Sequence, residues 1–272
     1  MKKTKIAIIG LGWFGLPLAK NLYDKNYEVI GSTTSTEKFA DLVNQPFKVR
    51  RLIIKSNGIV GNLGQFIENV DVLVLNIPPD RNKSHDAYGQ QIQTILNVLE
   101  TKTKVIFISS TSVYGNSNAS VNESTLPAPI RAGGKAVLNA ENRISESLGN
   151  RATIVRFAGL VGPDRHPGRF LSKVDDIDNP NGYVNLIHLD DCIQIVRSII
   201  EQSVWGEIIN GCADEHPKRD DFYNAAAYNL SLTPPQFNAT GNSSYKIVDN
   251  SKSKSLLSMT YQMSNPLEFF FS

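Results

Sequence analysis

KIAIIGLGWFGLPLAKNLYD, residues 5–24, is a β-branched apolar run that stops in glycines and resumes with helical spacing. An uninterrupted apolar run of this length suits a strand buried on both faces, and the following pattern suits a helix packed on it. The junction is therefore strand, tight turn, helix. Gly10, Gly12 and Gly15 make the spacing GxGxxG across that junction. One glycine permits the turn, the next lets a pyrophosphate approach the backbone, and the third lets helix pack on strand. A phosphate then meets the free N–H groups and the dipole at the start of the helix. The pattern is weak alone, but here it ends a strand and opens a helix. It predicts a dinucleotide site built from Gly10, Gly12, Trp13, Phe14 and Gly15.

Outward from this stretch the same alternation continues. YEVIGSTT (27–34) reads as strand, TEKFADLV as helix, VDVLVLNIPP (70–79) as strand, GQQIQTILNVLE as helix and KVIFISSTSVYG (104–115) as strand and turn. A helix opening near Lys135 follows, then the strand-like RATIVRFAGLVG (151–162). Strands apolar throughout and alternating with helices predict an α/β fold, a doubly wound parallel sheet of Rossmann type. After about residue 163 the composition turns to Pro, Gly and charge, with one more strand-to-helix unit at VNLIHLDDCIQIVRSIIEQ and a late strand at GEIINGC. The expected division is a nucleotide-binding domain over 1–163, completed by about 183–212. Residues 164–182 and 213–272 form a smaller substrate-side lobe, polar and helix-poor over its last sixty residues.

Composition excludes several classes. At 272 residues, with 41% hydrophobic and 20% charged residues and a formal net charge of +2, neither disorder nor a nucleic-acid-coating surface is indicated. Cys192 and Cys212 stand far apart, outside any metal-like spacing, which suits small buried side chains in a reducing compartment. No metal site is expected. The apolar run after the basic start is too short for a signal peptide and no later run spans a bilayer, so a cytoplasmic protein with no membrane and no nucleic-acid partner is expected. The partner is a small molecule, and monomer and homodimer both stay open.

Cofactor choice turns on the end of the second strand, about 20 residues after the glycines, where an acid would bind the ribose diol of NAD. Thr33 stands there, with Ser32, Thr34 and Ser35 as further hydroxyls and Lys38 nearby. Donors and a positive charge suit a 2′-phosphate better than a diol. NADP is expected over NAD, although Ser35 or Thr36 with Glu37 would equally cap the next helix. Ile77 and Pro78, closing the third strand, complete the expected cofactor set.

SSTSVYG at a strand end, a Lys-led helix about twenty residues later, RFAGLVGP and NLIHLDD together resemble the extended short-chain dehydrogenase/reductase family, the superfamily of NAD-dependent epimerases and dehydratases. The resemblance covers Lys5 to about Cys212. The GxGxxG start and GLVGPDRHPGRF look most like its atypical, YeeZ-like members. The resemblance implies a catalytic role for Ser110, which would hydrogen-bond the reacting oxygen. It implies that Lys135 holds the nicotinamide ribose and tunes a neighbouring tyrosine. That tyrosine would stand four residues before Lys135, where this sequence has Arg131. A guanidinium stays protonated and neither accepts nor gives a proton.

Tyr114, His166 and His188 are then the titratable candidates for proton transfer, Tyr114 first among them. Arg165, His166, Arg169 and Lys173 fall on one segment that the resemblance places over the substrate, and with Arg131 they suit an anionic metabolite such as a sugar nucleotide or sugar phosphate. The leading expectation is epimerase, dehydratase or reductase chemistry without the usual tyrosine. A non-catalytic NADP(H) sensor is the alternative, and a purely structural use of the fold comes last.

Overall fold

The computed structural model describes residues 3–55, 58–80, 85–171, 174, 176–238 and 244–269. Lys173 lies outside them. The chain separates into two compact units.

The first unit comprises Met1–Val113, Pro129–Val155 and Val196–Ile208. It starts with β1 (Lys5–Ile9), α1 (Gly15–Asp24), β2 (Glu28–Thr33), α2 (Thr36–Leu42) and β3 (Lys48–Arg51). A short hairpin, β4 (Ile53–Lys55) and β5 (Gly58–Val60), leads to α3 (Leu63–Ile67), β6 (Val72–Leu75), α4 (His85–Leu96) and β7 (Lys104–Ser110). The remaining elements follow in chain order: β8 (Ser120–Val121), α5 (Ala132–Leu148), β9 (Ala152–Phe157), β10 (Gly159–Val161), β11 (Leu186–His188), α6 (Leu189–Glu201), β12 (Ile208–Gly211), α7 (Arg219–Asn229), β13 (Ile247–Val248) and α8 (Ser251–Leu256).

Seven strands form one sheet in the order β12-β9-β7-β6-β1-β2-β3. β1 pairs in parallel with β2 and β6, β2 with β3, and β6 with β7. The expected Rossmann sheet is therefore present. Ile6, Ala7 and Ile8 of β1, and Leu73, Val74 and Leu75 of β6, are fully buried, which is why these strands are apolar on both faces rather than alternating. Each large apolar side chain so buried contributes roughly 1.5–3 kcal/mol. Leu18, Ala19 and Leu22 of α1 supply the matching stripe, also fully buried. From β1 the chain winds one way to β2 and β3 and the other way to β6 and β7, so the strand order reverses at β1. Ligands of open α/β sheets bind at the carboxyl ends of the strands at such a reversal.

The second unit comprises Tyr114–Ala128, Arg156–Ile195 and Ile209–Ser272. It thus takes 114–128 and begins again at Arg156, ahead of the boundary at 163 read from the sequence. Val161, Val184, Leu186, Ala213, Phe222 and Phe269 form an apolar cluster within it. Its C-terminal part is less helix-poor than expected, because α7 covers eleven residues and α8 six. The signal in α7 is faint because its buried face is Phe222, Ala226 and Ala227, largely small residues. Small residues have a use here: a Cβ on Gly168 would fall 2.3 Å from the Ala226 carbonyl oxygen, so the turn Pro167–Arg169 lies directly on α7. Residues 44–69, unassigned from sequence, supply the edge strand β3, the β4–β5 hairpin and α3.

Candidate functional site

The loop after β1 is built by close backbone contacts. Gly10 has φ +109°, a conformation costly for any residue with a Cβ, and a Cβ there would lie 2.3 Å from the Asn76 carbonyl oxygen. Three backbone or side-chain bonds join the strand ends: Leu11 N donates to Ser32 O at 2.7 Å, Asn76 N to Ile9 O at 3.0 Å, and Asn76 Nδ2 to Gly10 O at 3.0 Å. Gly15 completes the loop, since its Cβ would collide with Gly10 O at 2.0 Å. Gly12 differs from both. Nothing lies within 4 Å of a Cβ built on it, so its approach face is open. Phe14, at the start of α1, provides no side-chain cap, and the first turn of α1 carries no acid. Leu16 N donates to Gly12 O at 3.1 Å and Pro17 has no N–H, so an anion there would meet the open backbone at Gly12 and the helix dipole, with no acid opposing it.

A cavity of about 240 Å³ opens from this loop. Gly10, Gly12, Ser32, Thr33, Thr34 and Lys38 line it, with Ile77 and Pro78. Leu52, Ile54, Asn76 and Gln91 line it too, and sequence reasoning missed all four. Leu52 and Ile54 follow the edge strand that was not assigned, and Gln91 sits in α4, where Gln91 Nε2 donates to Ile54 O at 2.7 Å. The signal available for Asn76 was an amide directly after the apolar strand VLVL. Four expected residues do not line the cavity: Trp13, Phe14, Gly15, which packs on Gly10 O, and Lys135. Phe14 is 3% exposed and packs in the core, and Trp13 is half-buried beside the loop.

At the end of β2, Thr33 is 6% exposed and Ser32 1%, while Thr34 and Lys38 are exposed. Both functions foreseen for Ser35 meet in one side chain: it lines the cavity and its Oγ accepts from Lys38 N at 3.1 Å, capping α2. The same hydroxyl donates to Glu37 Oε2 at 2.6 Å, and that hydrogen bond holds the Glu37 carboxyl below its ordinary range. The nearest acid is therefore bonded to the cap. Arg51 Nε donates to Thr34 O at 3.4 Å, bringing a second cation to the loop.

The turn Thr111–Val113 and the start of α5 are also in contact within this unit. A Cβ on Gly134 would lie 2.4 Å from Ser112 O, so glycine lets the first turn of α5 lie directly against the chain that carries Ser110. Ser109 donates to the buried Glu141 carboxylate and ties β7 to α5. Ser110 Oγ itself accepts from Ser112 N at 3.1 Å. Lys135 and Arg131 are both exposed. Arg131 is the extended N-cap residue of α5, its side chain making no cap bond, while Arg131 O accepts from Lys135 N at 3.1 Å. Neither side chain lines the cavity.

The other proton-transfer candidates lie in the second unit. Tyr114 is 2% exposed; its hydroxyl accepts from Arg156 Nη1 at 2.8 Å and donates to Asn210 Oδ1 at 3.0 Å. The Arg156 guanidinium lies 4.9 Å from the Tyr114 ring centroid. Burial pushes the phenol pKa up, with the Arg156 charge opposing. A proton carrier needs a hydroxyl that substrate can reach, and this one is enclosed. His188 is 4% exposed, its Nδ1 accepting from Asp190 N at 3.3 Å at the start of α6. His166 Nδ1 accepts from Gly168 N at 3.1 Å and its Nε2 pairs with Asn229 at 3.2 Å. Burial holds the His166 pKa below the ordinary histidine value, with Arg169 adding to the effect. Arg165 Nε donates to Leu160 O at 2.8 Å, whereas Arg169 is exposed. Among the described residues no group of His, Cys, Asp and Glu could hold a metal, and no helix is long and apolar enough to cross a membrane.

Residues 5–127 match the family model for the NAD binding domain of 6-phosphogluconate dehydrogenase. Over 97% of its length the chain is 34% identical to Protein YeeZ of Escherichia coli (strain K12), of which it covers 97%. The chain belongs to the YeeZ family. This YeeZ-family chain is also 30% identical, over 60% of its length and 58% of the relative's, to the uncharacterized UDP-glucose epimerase YtcB of Bacillus subtilis (strain 168). Its fold is that of the UDP-glucuronic acid 4-epimerase from Bacillus cereus, solved in complex with NAD, with a TM-score of 0.78, 21% identity and 98% of each chain covered. The architecture is thus that of the NAD-dependent epimerases and dehydratases.

Proposed function

We propose that the cavity at the carboxyl ends of β1, β2 and β6 holds a nicotinamide dinucleotide, and that the protein uses it on a small anionic metabolite. The observation that carries this reading is Gly12: the central glycine of the motif faces open space beside an uncapped helix start, while its two companion glycines are closed by backbone. A pyrophosphate fits that opening. Leu52, Ile54 and Pro78 offer apolar faces for the adenine, with Gln91 at its edge.

NADP is the preferred form. Thr34 and Lys38 line the end of the cavity where an adenosine ribose would lie, Arg51 is bonded to Thr34 O beside it, and Glu37 is bonded to Ser35 rather than open to a diol. A nicotinamide held there would supply hydride-transfer chemistry. The chain's own residues then do the positioning: Ser110 orients the substrate oxygen and Lys135 the nicotinamide ribose. Arg131, four residues before Lys135, stabilises an anionic group or a developing oxyanion without transferring its proton. By the names of its relatives, a sugar nucleotide or sugar phosphate is the substrate class, and epimerase, dehydratase or reductase chemistry the reaction class.

One observation favours a second reading, a non-catalytic NADP(H) sensor: the Tyr114 hydroxyl is enclosed by Arg156 and Asn210, which keeps that phenol from proton transfer. Titration calorimetry with NADP and NAD tests the first claim, and NADPH turnover with UDP-sugars separates the two readings. Tighter binding of NADP, lost by about tenfold in Lys38→Ala, is expected. Equal or tighter binding of NAD overturns the preference, and no binding of either overturns both readings.

A further inference from the structure

A second concave site lies in the same unit and away from the glycine loop. It occupies the sheet face at the edge strand, under the five-residue helix α3. Strand register explains its floor. Lys48 of β3 stands beside Ile30 of β2, and Arg50 beside Ser32. Residues two apart on a strand share a face, and Lys5 shares a face with Ala7 of the neighbouring β1, which pairs with Ile30. Lys5, Ile30, Lys48 and Arg50 therefore line one side, and Asn62 and Gln65 come from the start of α3. A longer helix would cover this face with apolar side chains; α3 covers part of it and leaves a cavity of about 350 Å³.

Its cations keep donors beyond the bonds they make. Arg50 has five N–H donors, of which Nη1 is bonded to Val49 O at 3.1 Å. Among the described residues the Gln65 side chain makes no hydrogen bond, although its backbone N–H donates to Asn62 Oδ1 at 2.9 Å. Lys48 stands 3.9 Å from Glu28, with its side chain 66% exposed. Lys5 Nζ donates to Glu68 O at 2.6 Å, and Lys5 N to Asp71 Oδ2 at 2.8 Å. Glu28 pairs with Lys48 at the rim and Asp71 accepts from Lys5 N, beside the four lining cations Lys5, Lys48, Arg50 and Arg51. Arg51, the next residue, also lines the groove, and its Nε donates to Thr34 O at 3.4 Å.

We propose that this groove is a binding site for an oligophosphate anion, separate from the dinucleotide cavity. The spacing selects the class. Lys48 and Arg50 stand about 7 Å apart along their strand, and Lys5, two strands over and two residues back from the level of Lys48, lies about 12 Å from Lys48. Flexible cations so arranged can surround two linked phosphoryl groups, whereas a single phosphate would leave one of them without a contact. The guanidinium fork and the Gln65 amide match phosphoryl oxygens in geometry as well as charge.

Pyrophosphate itself is the probe, titrated by calorimetry into the full chain. Binding is expected to persist in Gly12→Val, which fills the opening of the dinucleotide cavity. It should weaken at least about tenfold in Arg50→Ala and in Lys48→Ala. Both replaced side chains are exposed, so an unchanged melting temperature will show that the fold is retained, and Gln65→Leu supplies a neutral variant of similar size. Weaker binding of inorganic phosphate than of pyrophosphate supports the oligophosphate class. Loss of binding in Gly12→Val with retention in Arg50→Ala would place the anion on the glycine loop and overturn the proposal. Undetectable binding at millimolar pyrophosphate, or phosphate binding as tight as pyrophosphate, overturns it as well.

Discussion

Asn76 and Gly10 are locked together from both directions: the Asn76 side chain donates to the Gly10 carbonyl at 3.0 Å, and the Asn76 carbonyl oxygen occupies the place a Gly10 Cβ would need. The loop after β1 is thus held by the end of β6, a strand distant in sequence and adjacent in the sheet. Asn76→Asp keeps the shape but replaces the donor with an anion beside the Gly10 carbonyl and the site of the pyrophosphate. We expect dinucleotide affinity to fall about tenfold or more, with about 1–3 kcal/mol of stability lost. Chemical denaturation and calorimetry measure the two effects, and unchanged values in both would show that Asn76 is a bystander.

The motif glycines should separate fold from binding. Gly10→Ala forces a Cβ onto a backbone with φ +109° and against Asn76 O, and a loss of about 2 kcal/mol or more is expected. Gly12→Ala meets nothing within 4 Å and should change stability by at most about 0.5 kcal/mol, yet it intrudes where the pyrophosphate would pass. Its expected signature is weak binding with an unaltered melting temperature. Normal dinucleotide affinity in Gly12→Ala would remove the main support for the cavity as a cofactor site.

Tyr114→Phe removes only the hydroxyl between Arg156 and Asn210. Arg156 is 2% exposed, so its lost acceptor cannot be replaced by bulk water, and a destabilisation of about 1–3 kcal/mol is expected. Dinucleotide affinity should stay the same. Loss of turnover with an unchanged melting temperature would instead restore Tyr114 to the chemistry.

How much of this was legible in the sequence depends on whether the signal is local. The strand-turn-helix of residues 5–24 was readable because periodicity and glycine spacing are local properties, and so were Thr34 and Lys38 at the end of β2. Leu52 and Ile54 were hidden because they reach the cavity through an edge strand of four residues and a hairpin too short to show a period, and Gln91, on a helix that was readable, is brought there by its bond to Ile54 O. The surroundings of Tyr114 were hidden for the opposite reason. Its turn carries a family-like pattern, but what decides its availability is Arg156 and Asn210, the latter 96 residues away. Cysteine spacing was a sound guide, since Cys192 and Cys212 are free and buried.

A pH effect should come from His216 in the second unit. Burial lowers its pKa, against the opposing effects of Val184 O and the neighbouring carboxylates of Glu215, Asp214 and Asp249. The folded state therefore binds this proton less readily than the unfolded chain, whose histidine titrates near about 6.5. The contribution is fully present above that pH and is lost as pH falls through the folded value. Melting temperature should drop from pH 7.5 to pH 5 more steeply in the wild type than in His216→Asn, which can keep a donor for Val184 O. Parallel slopes in the two proteins would exclude His216 as the source.

Arg131 gives the sharpest separation between a used and an unused helix start. Its side chain is exposed and makes no cap bond, so Arg131→Ala should shift stability by at most about 0.5 kcal/mol. If the guanidinium stabilises an anion or oxyanion of the substrate, the same change should slow turnover, or weaken binding of a UDP-sugar, by about 10²-fold while leaving dinucleotide affinity within a few-fold. Arg131→Lys keeps the charge but not the fork, and partial retention is expected, because a point charge still steadies an oxyanion. Arg131→Tyr restores a phenol four residues before Lys135. It should create dehydrogenase activity only if Ser110 and Lys135 are already aligned for it, since a phenol without those partners keeps an ordinary pKa near about 10. Unchanged binding and turnover in Arg131→Ala would make this residue a solvated surface cation and remove the start of α5 from the proposed chemistry.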